Sequence, residues 1–194
     1  MHTVVKALTF ACTIALSAAA AAEPVTYDLD PDHTYPSFEA DHMGGLSTWR
    51  GKFNRSSGTV VLDRAARTGS IDVTVDMKSV DFGHDEMNRH AMAADILDVE
   101  RYPTAVFKGK FTEFDGDVPE KARGELTLHG VTRPITLDID DFKCIMHPMT
   151  KREACGADVS AEFNRADYGI DFALNMGFKP EVELKIQVEG QRRQ

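Results

Sequence analysis

The most constraining feature of this sequence is a regular alternation of apolar and polar residues over much of its length. From Glu181 to Glu189, every second residue is apolar and the residues between them are charged or polar. Successive side chains of a β-strand point to opposite faces of the sheet, so a period of two is typical of a strand buried on one face. Antiparallel sheets contain such strands. Residues 71–77, 135–139 and 158–163 show the same alternation.

Weaker segments with turn signals at their ends complete a predicted all-β chain. The turn signals include Gly44-Gly45, Ser56-Ser57-Gly58 and Asp115-Gly116-Asp117. The weaker strands are predicted at residues 27–30, 34–42, 48–53, 58–63, 104–114 and 124–129. Short strands joined by short turns predict a sandwich or a barrel. No repeat or linker divides the chain, so we expect a single domain.

One segment departs from this rhythm. Residues 84–98, with the sequence HDEMNRHAMAADILD, place Met87, Ala91, Ala94 and Leu97 at helical spacing. We expect a short helix with an irregular continuation that lies across one end of the sheet.

The N-terminal segment has the composition of a secretory signal peptide. Residues 1–6 carry one cation, residues 7–20 are apolar or small, and Ala20-Ala21-Ala22 forms a small-residue cleavage site before Glu23. The apolar run is too short for a spanning helix. We therefore expect a cleaved signal peptide at 1–22, a mature domain at 23–194, and export to the periplasm.

The mature chain is acidic. The full sequence has a formal net charge of -9, and removal of Lys6 with the signal peptide makes it -10. This charge disfavours nucleic acid as a partner and disfavours electrostatic attraction to an anionic membrane. We expect no stable membrane insertion, since no later stretch is long and apolar enough. The oligomeric state stays open, with a homodimer among the alternatives.

Two cysteines remain after cleavage, and an oxidising compartment favours a disulfide between them. They are Cys144 and Cys155, and the segment between them contains Met146, His147 and Met149. Thiolate and thioether ligands suit copper, so a copper or zinc site on Cys144, His147 and Cys155 is the alternative. The disulfide is the preferred prediction.

An ordered set of short strings resembles the YceI-like family from about residue 26 to the C-terminal strand. The strings are Tyr27-Asp28-Leu29-Asp30-Pro31 with His33, Phe38 and His42, then Gly51-Lys52-Phe53, Asn88-Arg89-His90, Asp95-Ile96-Leu97-Asp98, Tyr102-Pro103, Phe107, Gly124-Glu125-Leu126-Thr127-Leu128-His129-Gly130-Val131-Thr132 with Pro134, and Arg165 with Tyr168-Gly169-Ile170.

The resemblance implies an extended, lipocalin-like antiparallel β-barrel that holds a polyisoprenoid, such as an isoprenoid quinone, in an elongated internal pocket. A barrel of about eight strands is wide enough for one ligand. The large apolar residues expected to face that ligand are Phe38, Trp49, Phe53, Met92, Ile96, Leu97, Phe107, Leu126, Phe163 and Phe172. Three polar residues at family motif positions, His33, His90 and Arg165, are candidates for contact with its head group. Family members often carry Phe where this chain has Ile96.

The sequence contains no catalytic motif that we could identify. It lacks a Gly-x-Ser-x-Gly elbow, a His-Glu-x-x-His pair and a Gly-rich phosphate loop. The pairs His84/His90 and His33/His42 do not have metal-ligand spacing, which favours structural roles for them. We expect a binding protein without a cofactor, not an enzyme. The alternative is a stress-related structural barrel with a packed core.

Overall fold

The computed structural model describes residues 23–194, so the predicted signal peptide lies outside the described residues. The strands are β1 (Val25–Leu29), β2 (Tyr35–His42), β3 (Ser47–Phe53), β4 (Ser56–Asp63), β5 (Thr68–Asp76), β6 (Val80–Asp81), β7 (Thr104–Asp115), β8 (Val118–Leu128), β9 (Val131–Met146), β10 (Glu153–Asn164) and β11 (Glu181–Arg192). One helix, α1 (Asp85–Ala91), and three 3-10 turns, Met77–Ser79, Arg165–Tyr168 and Leu174–Met176, complete the described structure. Within residues 23–194, no helix has the length and apolar character needed to cross a membrane.

The strands form one closed antiparallel barrel. β11 pairs with β10 along one side and with both β1 and β2 along the other, which closes the ring. β1 and β2 succeed each other in one strand position, as do β3 and β4, and β5 and β6. The eleven segments therefore occupy eight strand positions, and each position neighbours the next one in the sequence. The predicted all-β barrel of about eight strands is confirmed.

Buried hydroxyl groups maintain the wall where its first three strand positions are interrupted. Thr34, Ser56 and Ser79 are 2, 8 and 5 % exposed. Ser56 donates to the carbonyl oxygen of Thr34 (3.4 Å), and the hydroxyl of Ser79 accepts from the backbone N–H of Arg55 (3.0 Å). These bonds replace ladder hydrogen bonds that the interruptions remove, which explains why polar side chains are buried here.

The inward face of the barrel is the face that the alternation predicts. Val159, Ala161 and Val182 are all less than a tenth exposed, and the residues between the inward positions of β11 face outward. β10 and β11 pair without a shift from Ala154 opposite Gln191 to Asn164 opposite Glu181. One unbroken register keeps the apolar residues from Val159 to Phe163 and from Val182 to Ile186 on one face, because a slip of one residue would reverse them.

The segment after β6 covers one end of the barrel. α1 begins after His84, whose Nδ1 accepts a hydrogen bond from the backbone N–H of Met87 (3.4 Å). The chain continues as irregular turns, and Val99 packs with Met77, Leu128 and Tyr168 in a buried cluster. The short helix with an irregular continuation is as predicted, although the helix ends at Ala91 and so occupies only half of the predicted segment.

The two cysteines of residues 23–194 lie directly opposite each other on neighbouring strands. Cys144 of β9 pairs with Cys155 of β10, and their sulfurs form a disulfide that spans 11 residues of sequence. The predicted disulfide is therefore confirmed. It ties the hairpin at the end of the barrel away from α1.

Candidate functional site

An elongated cavity of about 400 Å³ lies inside the barrel. This volume is within the range of roughly 300–1,000 Å³ that is usual for small-molecule sites. Every strand position contributes to its wall. Its apolar lining consists of Leu29, Pro36, Phe38, Ala40, Trp49, Phe53, Val73, Val75, Met77, Phe82, Met87, Ala91, Ile96, Leu97, Ala105, Phe107, Leu126, Leu128, Ile135, Leu137, Val159, Phe163, Ile170, Phe172, Phe178, Val182, Leu184, Ile186 and Val188.

The cavity follows the length of β11. Val182, Leu184, Ile186 and Val188 are four successive inward positions, and all four line it. Six residue steps of about 3.3 Å each give the cavity a length of about 20 Å along this strand. A cavity of this volume and length is a narrow channel. Its shape suits an extended hydrocarbon ligand better than a compact ring system.

Two glycines on the inward face leave room for aromatic rings. A Cβ atom at Gly51 would lie 2.6 Å from the Phe38 ring, and one at Gly109 would lie 2.5 Å from the Phe107 ring. Because any larger residue at these positions would displace the rings, the glycines fix how Phe38 and Phe107 lie along the wall. The Phe38 ring also packs against Phe53, with 5.6 Å between ring centroids.

The polar lining residues are concentrated at one end. Asp41, His42, His90 and Arg165 lie at the end of the cavity near α1, and Thr34 lies further inside. The Thr34 hydroxyl donates to the Glu189 carbonyl oxygen (3.0 Å), so it is already hydrogen-bonded within the wall. The cavity is thus apolar along its length and polar only near this end, which we call the mouth.

Arg165 is held at the mouth by the loop that follows it. Its guanidinium donates to the carbonyl oxygens of Ile170 (2.9 Å) and Lys179 (3.4 Å). Burial lowers the pKa of Arg165, although Asp171 and Asp41 oppose this effect. Arginine nevertheless stays charged at neutral pH. The mouth therefore presents a cationic hydrogen-bond donor beside the channel.

Aromatic side chains also pack around the mouth. The His42 ring stacks on Trp49 with 4.6 Å between centroids and meets the edge of Phe178 at 5.5 Å. The His90 ring meets the edge of Phe172 at 5.2 Å. Both histidines are thus placed by aromatic contacts and border the channel.

The opposite end of the barrel is closed by packed side chains. Tyr27, Leu62 and Ala122 are 4, 3 and 0 % exposed. The Tyr27 hydroxyl donates to Glu153 Oε1 (2.8 Å). Burial, then this hydrogen bond and the Glu153 charge, raise the pKa of Tyr27 to about 12. The neutral, hydrogen-bonded side chain of Tyr27 is therefore buried at the same end of the barrel as the disulfide.

Most of the residues predicted to contact a ligand line the cavity. These are Phe38, Trp49, Phe53, His90, Ile96, Leu97, Phe107, Leu126, Phe163, Arg165 and Phe172. Met92 packs instead against the buried cluster that contains Val99. His33 is exposed on the outside of the barrel, where its Nδ1 lies 3.0 Å from Asp30 Oδ2. Neither Met92 nor His33 belongs to the lining; for the others, contact with a ligand stays a prediction.

Several residues of the mouth were not among the predicted ligand contacts. Ala40 and His42 continue the inward alternation of Pro36 and Phe38 on β2, so the period of two could have identified them. Phe178 lies in an irregular loop, where no periodicity assigns a direction to a side chain.

The three residues of the alternative metal site are not all brought together, because His147 lies apart from the two cysteines. Among residues 23–194, the clustered potential ligands are Cys144, Glu153 and Cys155, without His147. The Nδ1 atom of His147 accepts hydrogen bonds from the backbone N–H groups of Met149 and Thr150, each at 3.2 Å. The two sulfurs are joined in the disulfide and therefore are not thiolate ligands.

Comparison with known proteins agrees with this architecture. The sequence matches the YceI-like domain family over residues 27–190. It is 32% identical over 184 residues to the protein YceI of Escherichia coli O6:H1, covering 94% of each chain, and 30% identical over 191 residues to a UPF0312 protein of Vibrio cholerae, covering 98% of each.

Solved structures share the fold at lower sequence identity. BcnA of Burkholderia cenocepacia superposes with a TM-score of 0.64 at 19% identity, over 80% of this chain and 95% of that one. A polyisoprenoid binding domain from Saccharophagus degradans gives a TM-score of 0.60 at 16% identity, over 87% and 99%. The matched family domain and the whole-chain similarity show that this chain belongs to the YceI-like family.

Proposed function

We propose that this protein binds one long isoprenoid lipid in its cavity and carries it through the periplasm. The observation that carries the proposal is the channel itself, about 400 Å³ in volume and apolar along its length. Burial of apolar area stabilises by roughly 25 cal/mol per Å², and a linear hydrocarbon needs no polar partner along its length. The deep lining offers none, since the Thr34 hydroxyl is already bonded to the wall.

The mouth is where we place the head group. Arg165 and His90 can donate hydrogen bonds there, and both border the channel. A lipid whose head group accepts hydrogen bonds, such as a quinone, would lie with its head at these residues and its tail towards Val188. One net hydrogen bond contributes about 0.5–1.5 kcal/mol, so the head group would add selectivity, and the tail would supply most of the affinity.

Family membership supports this reading of the channel. The structural neighbour from Saccharophagus degradans is described as a polyisoprenoid binding domain, and its barrel superposes on this one over nearly its whole length. We extend that ligand class to the present chain because its own channel is long, narrow and apolar.

The proposed role is binding without catalysis. Asp41 is the only carboxylate among the described lining residues, and its Oδ2 atom accepts hydrogen bonds from the backbone N–H groups of Gly44 (2.8 Å) and Lys179 (2.9 Å). It is thus a structural acceptor and is not poised as a general base. The alternative of a packed structural barrel conflicts with an interior that holds 400 Å³ of space.

Native mass spectrometry of the protein purified from its own periplasm tests the proposal. We expect one lipid per protein, identified after organic extraction as a linear isoprenoid, and rebinding by the stripped protein. A protein that is isolated empty and does not take up isoprenoid lipids from detergent micelles would contradict it. Turnover of an added isoprenoid would show an enzyme instead.

A second measurement tests the placement of the head group. We compare a quinone with a hydrocarbon of the same tail length, and expect the quinone to bind up to about tenfold more tightly. Arg165→Gln should reduce that preference while leaving hydrocarbon binding nearly unchanged. Equal affinities of the unsubstituted protein for both ligands would argue against the placement.

A further inference from the structure

Exposed apolar side chains cluster beside the mouth. Met43, Leu46 and Met176 are 56, 72 and 70 % exposed. Single exposed apolar residues are ordinary, but contiguous groups of them mark surfaces that bind a protein or a membrane. These three lie on two loops, residues 43–46 between β2 and β3 and residues 174–178 before β11, which we call the rim loops.

The two rim loops form one surface. A Cβ atom added at Gly44 would lie 3.0 Å from the carbonyl oxygen of Gly177, so the two loops are in close contact. One oxygen of the Asp41 carboxylate accepts the backbone N–H of Gly44 in the first loop and that of Lys179 just after the second. These hydrogen bonds lower the pKa of Asp41, so the link stays ionised and in place at neutral pH.

This surface is continuous with the channel. His42 immediately precedes the first rim loop and lines the cavity. Its ring contacts Trp49 and Phe178, and Phe178 belongs to the second rim loop. A ligand that leaves past these rings therefore emerges between the exposed apolar side chains.

The charge of the surface indicates what covers it. The chain is 27% charged with a net charge of -9, yet neither rim loop contains a charged residue. The cations nearest the loops are Lys179, whose Nζ would lie 3.9 Å from a Cβ atom at Gly45, and Arg165, and the acids Asp41 and Asp171 offset them. An uncharged apolar surface with balanced charges beside it complements a zwitterionic bilayer, whose apolar interior lies beneath neutral head groups.

We propose that the rim loops insert into the surface of a lipid bilayer and so place the mouth against it. This rests on the proposed function, because the insertion would let a lipid pass between bilayer and channel without crossing water. Each CH₂ group exposed to water costs about 0.8 kcal/mol, which makes free desorption of a long isoprenoid prohibitively slow. Apolar insertion is also compatible with an acidic protein, since it needs no electrostatic attraction.

Paired variants test this inference. In the rim variant, Leu46→Glu and Met176→Glu are combined. In the control, Ile145→Glu and Met149→Glu change two other exposed apolar residues, 49 and 85 % exposed, at the disulfide end. Because all four side chains are exposed, we expect both variants to fold, and circular dichroism checks this. Leu46→Ser with Met176→Ser serves if the charged rim variant does not fold.

Flotation with empty phosphatidylcholine vesicles and the rate of quinone transfer from loaded vesicles are the readouts. We expect the rim variant to lose at least about tenfold in vesicle affinity and in transfer rate, and the control to match the unsubstituted protein. Binding should change little between low and high salt, because insertion is apolar.

Three results of the flotation experiment would overturn the inference. They are unchanged vesicle binding by the rim variant, equal losses in both variants, and no vesicle binding by the unsubstituted protein. Transfer that occurs only from membranes containing protein would point to a protein partner and would also overturn it. Uptake of isoprenoid lipid from detergent micelles is measured separately. If the unsubstituted protein takes up no lipid, the proposed function is contradicted. If it takes up lipid but the rim substitutions leave vesicle binding unchanged, only the docking surface is contradicted.

Discussion

Filling the channel with a protein side chain should displace the lipid without unfolding the barrel. Ala40 points into the cavity near the mouth, opposite Trp49 on β3 and Val182 on β11. Ala40→Phe would place a phenyl ring in space that the ligand is proposed to occupy. Ala161→Phe is the matched control, because Ala161 is also inward-facing but packs in a buried cluster with Phe107 and Ile135.

The two positions predict opposite effects on the free energy of unfolding. Full burial of a Phe side chain stabilises by about 1.5–3 kcal/mol, and ordering its rotamers offsets part of this. Ala40→Phe should therefore leave the free energy of unfolding unchanged or raise it by up to about 2 kcal/mol. At Ala161, which is 8 % exposed, the added ring must displace packed neighbours. Such overpacking costs about 1–3 kcal/mol, so the variants should differ by about 3 kcal/mol.

Urea unfolding and lipid content measure the two effects. Unfolding is followed on lipid-stripped protein, since bound ligand would itself stabilise the folded state. Lipid content is measured by extraction after equal exposure to isoprenoid micelles. We expect Ala40→Phe to be as stable as the unsubstituted protein and to hold little lipid. The reasoning is refuted if Ala40→Phe binds a full complement of lipid, or if it loses as much stability as Ala161→Phe.

Three further predictions concern the closed end and the N-terminus. Replacing Cys144 and Cys155 by Ser should lower the free energy of unfolding by about 3 kcal/mol in the chain-entropy model for a loop of this length, measured by urea unfolding against the oxidised protein. Tyr27 should ionise only near pH 12, so the stability due to its neutral form persists below pH 10 and is lost as the pH rises through about 12; ultraviolet titration checks this, and Glu153→Gln should lower the pKa. Intact mass of the exported protein should correspond to a chain that begins at Glu23, and a retained leader or a lipid would contradict cleavage there.

The strands and the direction of their side chains could be predicted from the sequence, because a period of two indicates both. In β11, the residues predicted to face inward, from Val182 to Val188, all line the channel. The disulfide could be predicted since only two cysteines remain once the predicted signal peptide is set aside. The closed barrel and the class of ligand were predicted from the family resemblance, because neither follows from alternation alone.

Ring closure and the mouth could not be predicted in the same way. β11 pairs with both β1 and β2, and this pairing depends on an interruption at residues 30–34 that a period of two does not reveal. Met92 was predicted to contact the ligand as a large apolar residue expected to face inward, and His33 from its position in a family motif. Their directions depend instead on the irregular turns after α1 and on a local pair with Asp30, which only the tertiary structure fixes.

The two ends of the barrel differ in the interactions that hold them together. At the closed end, Tyr27 bonds to Glu153, Asp28 pairs with Arg193, and the disulfide joins the adjacent hairpin. At the mouth, the wall consists of a short helix, 3-10 turns and glycine-containing loops, which make fewer ladder hydrogen bonds. Regions with few such bonds open at lower free energy than the strands of a core. β11 pairs with β2 up to Val182 opposite Ala40, so the ring is also closed by strand pairing near the mouth. Under the proposed function, we therefore expect a lipid to enter by local opening of the helix, turns and loops there, without separation of the strands.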